Sequence, residues 1–211
     1  MPTIEQARSW YTGADAVHDF DHVLRVYHMA EHLAQKEGAD HEVVRAAALL
    51  HDAVGTMPGS RERAEHHLAS AEFAEKILRD EGWLLERIRA VQHCIRAHRY
   101  RDDREPPQTI EAQTLFDADK LDVLGAVGVA RAVAYATLAG EPVYAEPSKL
   151  FLETGQREPG EPHSCYHEYL FKLSKIKDRL FTPTGRSLAA EREAYIAAYF
   201  DRLKNEWRGQ I

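Results

Sequence analysis

The sequence predicts an all-α protein, and three observations predict it. Apolar residues recur almost everywhere with helical period, no run alternates with the period of a strand, and helix-capping residues precede the periodic segments at the right offsets. No internal repeat is present. Thr3 opens a first helix with Gln6 as its capping-box partner, and Gly13 stops it. A second helix runs from about Asp19 to Gly38, with Val23, Val26, Tyr27, Ala30, Leu33 and Ala34 on one side. Asp40 caps a third, whose stripe Val43, Ala47, Leu50 and Val54 ends at Gly55. Ser60 caps a fourth helix reaching about Asp80, and Leu84, Ile88, Val91 and Ile95 mark a fifth. After Pro106 and Pro107, a long helical pattern starts at Thr109 and continues through "LFDADKLDVLGAVGVARAVAYATLAG", where Gly125 and Gly128 permit close packing or a break. Residues 140–162, rich in proline and glycine, read as a long loop that covers a site. Two final helices, about Ser164 to Leu180 and Thr184 to Arg208, close the fold.

At 211 residues the expectation is one domain, with its core at about 19–139 and the C-terminal helices (about 164–208) packed on it. A composition of 44% apolar and 29% charged residues is that of an ordinary soluble globular chain. The net charge of -7, with no long basic run, argues against a nucleic-acid polymer as partner. No N-terminal apolar segment and no long uncharged window point to export or to a membrane span. Two cysteines, Cys94 and Cys165, are too few for a disulfide framework, lack the surroundings of a nucleophile, and suit the cytoplasm. Histidine is over-represented, with 12 residues.

Some of those histidines fall where a core residue belongs. In "AAALLHDAVG", Ala46 to Gly55, His51 sits beside Ala47 and Val54. His22 lies at the edge of the Val26 and Ala30 stripe, and Asp119 shares the face of Ala112, Phe116 and Val123. A buried carboxylate is costly unless paired or metal-bound, and a buried imidazole needs its nitrogens satisfied. Imidazoles and carboxylates converging from three helices, with Asp52 beside His51 as a fourth donor, suit a divalent cation.

The ordered segments "HDFDHVLRV", "ALLHDAVG", "QHCIRAHR" and "LFDADKLDVLGAVGVAR", with "KDRLFTPTGRSLAAER" near the end, resemble the HD superfamily of metal-dependent phosphohydrolases. The match is to its small stand-alone bacterial and archaeal branch, similar to deoxynucleoside triphosphate pyrophosphohydrolase-like members. The resemblance implies a single all-helical HD domain in which His22, His51, Asp52 and Asp119 bind one divalent metal (Mn, Mg, Fe, Co, Ni or Zn). It also implies attack of metal-activated water on the phosphorus of a small phosphorylated substrate, a nucleotide. In dinuclear relatives two further histidines hold a second ion. His98, on the inward stripe of the fifth helix, is one candidate for these, and its partner is either His67, which the wheel prefers, or His66, which the family pattern prefers. Asp52, His98 and Lys120 are the candidate catalytic residues, with Arg96, Arg99, Arg101 and Arg104 as further cations for phosphate. Two rival readings stand beside this one: a dinuclear-iron oxygenase on the same fold, and a non-catalytic nucleotide-sensing module. The oligomeric state stays open, a homodimer included.

Overall fold

The structure, a computed structural model, describes residues 1–11, 20–54, 65–99 and 105–211. Among these it contains helices and no strands: α1 (Ile4–Arg8), α2 (Phe20–Glu37), α3 (His41–Leu50), α4 (His66–Asp80), α5 (Leu85–Ala97), α6 (Ile110–Leu121), α7 (Gly125–Leu138), α8 (Lys149–Thr154), α9 (Cys165–Phe171), a 3-10 helix (Leu173–Arg179) and α10 (Pro183–Trp207). The all-α expectation is borne out. The chain divides into two compact units, Met1–Lys120 with Leu180–Gly185, and Leu121–Arg179 with Arg186–Ile211. No single helix among the described residues is long and apolar enough to cross a membrane.

The first unit is built around α3, which packs on α1, α2, α4 and α5. From Val43 to Leu50 only Arg45 escapes burial, and the alanines at 46, 47 and 48 let neighbouring helices approach closely. Leu33, Leu49, Leu50, Leu78, Ile88, Ile95, Leu115 and Phe116 are fully buried, each contributing about 1.5–3 kcal/mol of transfer free energy. The expected caps form. Thr3 and Gln6 make a capping box, and the Asp40 carboxylate accepts from the Glu42 and Val43 amides while Arg87 grips it from α5. The first helix stops at Arg8 with Ser9 as its C-cap, short of the expected Gly13, and the expected Asp19 and Ser60 boundaries lie outside the described residues.

Asp117, fully buried on α6, fastens a distant piece of chain to this unit. Its carboxylate accepts hydrogen bonds from the Phe181 amide (2.9 Å), the Thr182 amide (2.8 Å) and the Thr182 hydroxyl (2.7 Å). Thr182 Oγ1 in turn accepts from the Gly185 amide in the first turn of α10. A Cβ at Gly185 would collide with Asp117 Oδ2 and Thr182 Oγ1, so the glycine is required by close approach.

Other expectations need correction as well. Leu84 does not join the α5 stripe: it is the extended N-cap residue (ψ 141) and 65% exposed, because a side chain ahead of the first turn is off the helical wheel. The break that Gly125 and Gly128 permit after Thr109 occurs, between α6 and α7, where Gly125 takes φ +68, a value strained for any other residue. The expected helix from Ser164 to Leu180 leaves α-geometry at Lys172 (φ -126) and continues as the 3-10 helix. Residues 140–162 are not a structureless loop, since Ser148 caps α8 and Gly155 ends it.

That segment is organised inside the second unit by Glu161. Its carboxylate accepts from the Ser148 amide and hydroxyl (both 2.7 Å) and the Glu158 amide (2.7 Å), and pairs with His167 Nε2 at 3.0 Å. Burial pushes the Glu161 carboxyl up, but these donors outweigh it and bring it down to about 2. A depressed carboxyl stabilises the fold above its unfolded value of 4.5, and the contribution is lost as pH falls from there towards about 2. Proteolysis within residues 141–164 is therefore expected to accelerate over that acid range, and Glu161→Gln to be cut faster already at neutral pH. A wild-type cleavage rate flat across the range would refute the role of Glu161.

Candidate metal centre

The end of α3 builds the site. The helix stops at Leu50, earlier than the expected Gly55, and His51 is its C-cap residue. His51 is fully buried, and its Nδ1 lies 2.8 Å from the Ala48 carbonyl, which can only accept, so the ring hydrogen sits on Nδ1. Nε2 is left with its lone pair, buried and without a hydrogen-bond partner. Such an orphan acceptor is costly unless a cation or donor meets it. Asp52 follows in the turn, which Ser70 of α4 pins by bonding both the amide and the carbonyl of Val54.

His22 from α2 and Asp119 from α6 converge on the same point. His22 Nε2 lies 3.5 Å from Asp119 Oδ1 and 4.0 Å from Asp52 Oδ2, and His51 Nε2 lies 3.7 Å from Asp52 Oδ2. The other oxygen, Asp52 Oδ1, faces His66 Nε2 at 3.0 Å and His98 Nε2 at 3.5 Å. Two groups of donors result, His22 with His51 and Asp119, and Asp52 with His66 and His98, each with ligand atoms within 4.8 Å of one another. His98 is buried as expected; His67 lies beside His66 on α4 and belongs to neither group.

The protonation states suit cation binding. Burial raises the Asp52 carboxyl, yet His51, His66 and His98 overcome this and hold it well below its usual range. Burial likewise opposes ionisation of Asp119, and the Lys120 ammonium and His22 outweigh it. His98 is pushed down to about 4 by burial, with Asp52 pulling against the shift, and is neutral at pH 7. Ionised carboxylates and neutral imidazoles are the forms in which these groups bind a metal. Facing one another in a buried site, they fit a divalent ion, with nitrogen and oxygen donors suited to Mn, Fe, Co, Ni or Zn.

Lys120 reaches back to the site along its flexible stem. Its Nζ donates to Asp119 Oδ2 (2.6 Å) and to the His98 carbonyl (3.1 Å) and lies over the Phe116 ring. Arg99 NH1 donates to His66 Nδ1 at 2.9 Å. Arg96 is held by Glu105, and Arg101 and Arg104 lie outside the described residues. The sequence did not mark Tyr11, whose hydroxyl donates to the Leu49 carbonyl and which burial and the nearby Asp52 keep protonated. Nor did it mark Ser70, an ordinary small residue on a helix.

A family model described as the HD domain matches residues 19–124, a span that contains every one of these donors. The chain belongs to the HD domain family. As an HD-domain protein it is 31% identical to YpgQ of Bacillus subtilis over 212 residues, covering 97% of this chain and 94% of that one. It superposes on the crystal structure of YpgQ in complex with ADP with a TM-score of 0.74 and 29% identity, covering 97% of each chain. A Bacillus thuringiensis protein described as an HD-superfamily hydrolase gives a TM-score of 0.71 at 26% identity, with 97% of this chain and 96% of that one covered. The resemblance read from the His, His-Asp and Asp motifs is thereby borne out as family and fold.

Proposed function

We propose that this HD-domain protein is a metal-dependent phosphohydrolase acting on a small phosphorylated substrate, a nucleotide, with His22, His51, Asp52 and Asp119 holding one divalent ion. The observation that carries the reading is the buried, unpartnered Nε2 of His51 facing Asp52 within a ring of donors from α2, the α3 terminus and α6. When bound, a divalent ion polarises a phosphoryl oxygen and acidifies water enough for it to attack phosphorus near neutral pH. The protein's own groups supply the remainder. Lys120 orients Asp119 and places a cation where charge grows on phosphoryl oxygens. His98, neutral and anchored to the Ile95 carbonyl through Nδ1, stands beside Asp52 with its Nε2 lone pair turned into the site. Support for a nucleotide comes from the ADP held by the related YpgQ and from the two cations, Lys120 and Arg99, at the donor groups.

The test is a screen of nucleoside mono-, di- and triphosphates for release of phosphate or pyrophosphate by the metal-loaded protein, with and without chelator. Chelator-sensitive release is expected, and absence of release from every nucleotide would contradict the reading. The oxygenase alternative keeps one observation in its favour, the approach of His66 Nε2 to His98 Nε2 at 3.3 Å. Oxygen consumption by the iron-loaded protein without phosphate release would select it, and nucleotide binding without any turnover would select the sensing module.

Lys120→Ala is expected to weaken metal binding by roughly 10–100-fold, as loss of a group that orients a ligand does. At saturating metal its turnover should stay lower by roughly ten- to a thousand-fold, the scale of one lost electrostatic contact to the transition state. Wild-type kinetics at saturating metal would assign Lys120 to Asp119 alone.

A further inference from the structure

Three hydrogen bonds beside the proposed ion site share a single proton order. Arg99 NH1 lies 2.9 Å from His66 Nδ1, His66 Nε2 lies 3.3 Å from His98 Nε2, and His98 Nδ1 lies 2.5 Å from the Ile95 carbonyl. The two ends fix the middle. A guanidinium can only donate, so His66 Nδ1 must accept and the His66 ring hydrogen sits on Nε2. A carbonyl can only accept, so the His98 hydrogen sits on Nδ1 and its Nε2 carries a lone pair. The His66 hydrogen therefore points at the His98 lone pair, while Asp52 Oδ1, 3.0 Å from His66 Nε2, is left without a hydrogen-bond partner.

We infer that Arg99 is a positioning residue that fixes the tautomer of His66, so that His66 closes on His98 through a shared hydrogen beside Asp52 instead of taking up a second metal ion. A second ion needs lone pairs on both Nε2 atoms. With Arg99 in place, His66 presents hydrogen there, and moving that hydrogen to Nδ1 would aim an N–H at an N–H. His51 and His98, anchored through Nδ1 to the Ala48 and Ile95 carbonyls, have the opposite polarity, which is the one a ligand needs. The inference rests on the reading of His22, His51, Asp52 and Asp119 as the site of the first ion.

The test is a metal count. Full-length protein is stripped with chelator, loaded with Mn2+, desalted and measured for manganese per chain, with 15N spectra of the histidine side chains recorded before loading. Wild type is expected to hold about one ion, and Arg99→Met, which keeps the stem and removes the donor, about two, returning to about one in Arg99→Met/His66→Gln. Two ions on the wild type, or one on a helical Arg99→Met, would overturn the inference. No manganese on the wild type would instead overturn the metal-site reading beneath it. The spectra decide without any substitution: hydrogen on Nε2 of His66 and on Nδ1 of His98 is expected, and hydrogen on Nδ1 of His66 would overturn the assignment.

Discussion

His51→Ala is expected to lose its bound metal and its nucleotide hydrolysis together while keeping its helices. The residue ends α3 with its ring fully buried, one nitrogen spent on the Ala48 carbonyl and the other facing Asp52 without a partner. Altering a group that merely orients a ligand costs roughly 10–100-fold in metal affinity, so removing a ligand itself should cost more than about 100-fold. The stability cost in the metal-free protein is smaller, about 1–3 kcal/mol, because only the bond to the Ala48 carbonyl and the packing of the ring are lost. Calorimetric metal titration and circular dichroism of the same sample separate the two effects. Full metal occupancy in the variant would remove His51 from the site.

Asp117→Ala is expected to show the reverse pattern, a large loss of stability with the metal ligands intact. Its carboxylate is the acceptor for Phe181 N, Thr182 N and Thr182 Oγ1, and alanine leaves the buried amide and hydroxyl of Thr182 and the half-buried amide of Phe181 without it. Each bond to a charged acceptor is worth about 1.5–3 kcal/mol, partly offset by relief of a buried charge, for a net loss of about 3–5 kcal/mol. In a chain of this length that lowers the melting temperature by roughly 6–20 °C. Urea unfolding measures it: a lower midpoint at constant slope is expected, and a change below about 1 kcal/mol would mean that Asp117 fastens nothing.

Asp117 and Asp119, both on α6, show what a sequence discloses. Asp119 stood out because a carboxylate at an apolar position demands a reason, and His22 and His51 stood out in the same way. Asp117 did not stand out. α6 is buried over most of its circumference, so the wheel has no solvent face against which to judge it, and its partners lie far along the chain at 181 and 182. The caps at Thr3 and Asp40 were legible because their partners are within three residues. The choice between His66 and His67 was not, since it depends on where α4 begins. The wheel assumed a start at Ser60, whereas α4 as described opens at His66, whose ring turns towards Asp52 from the first turn. The break at Lys172 had no signal in glycine, proline or a capping residue, and we find none in the structure beyond its φ of -126.

The central claim is that His22, His51, Asp52 and Asp119 hold a divalent ion. Anomalous diffraction from crystals of the full chain grown with Mn2+ tests it most directly. The expected result is a strong manganese peak enclosed by Nε2 of His22 and His51 and by carboxylate oxygens of Asp52 and Asp119. A map with manganese elsewhere on the chain and nothing between these four side chains would contradict the account.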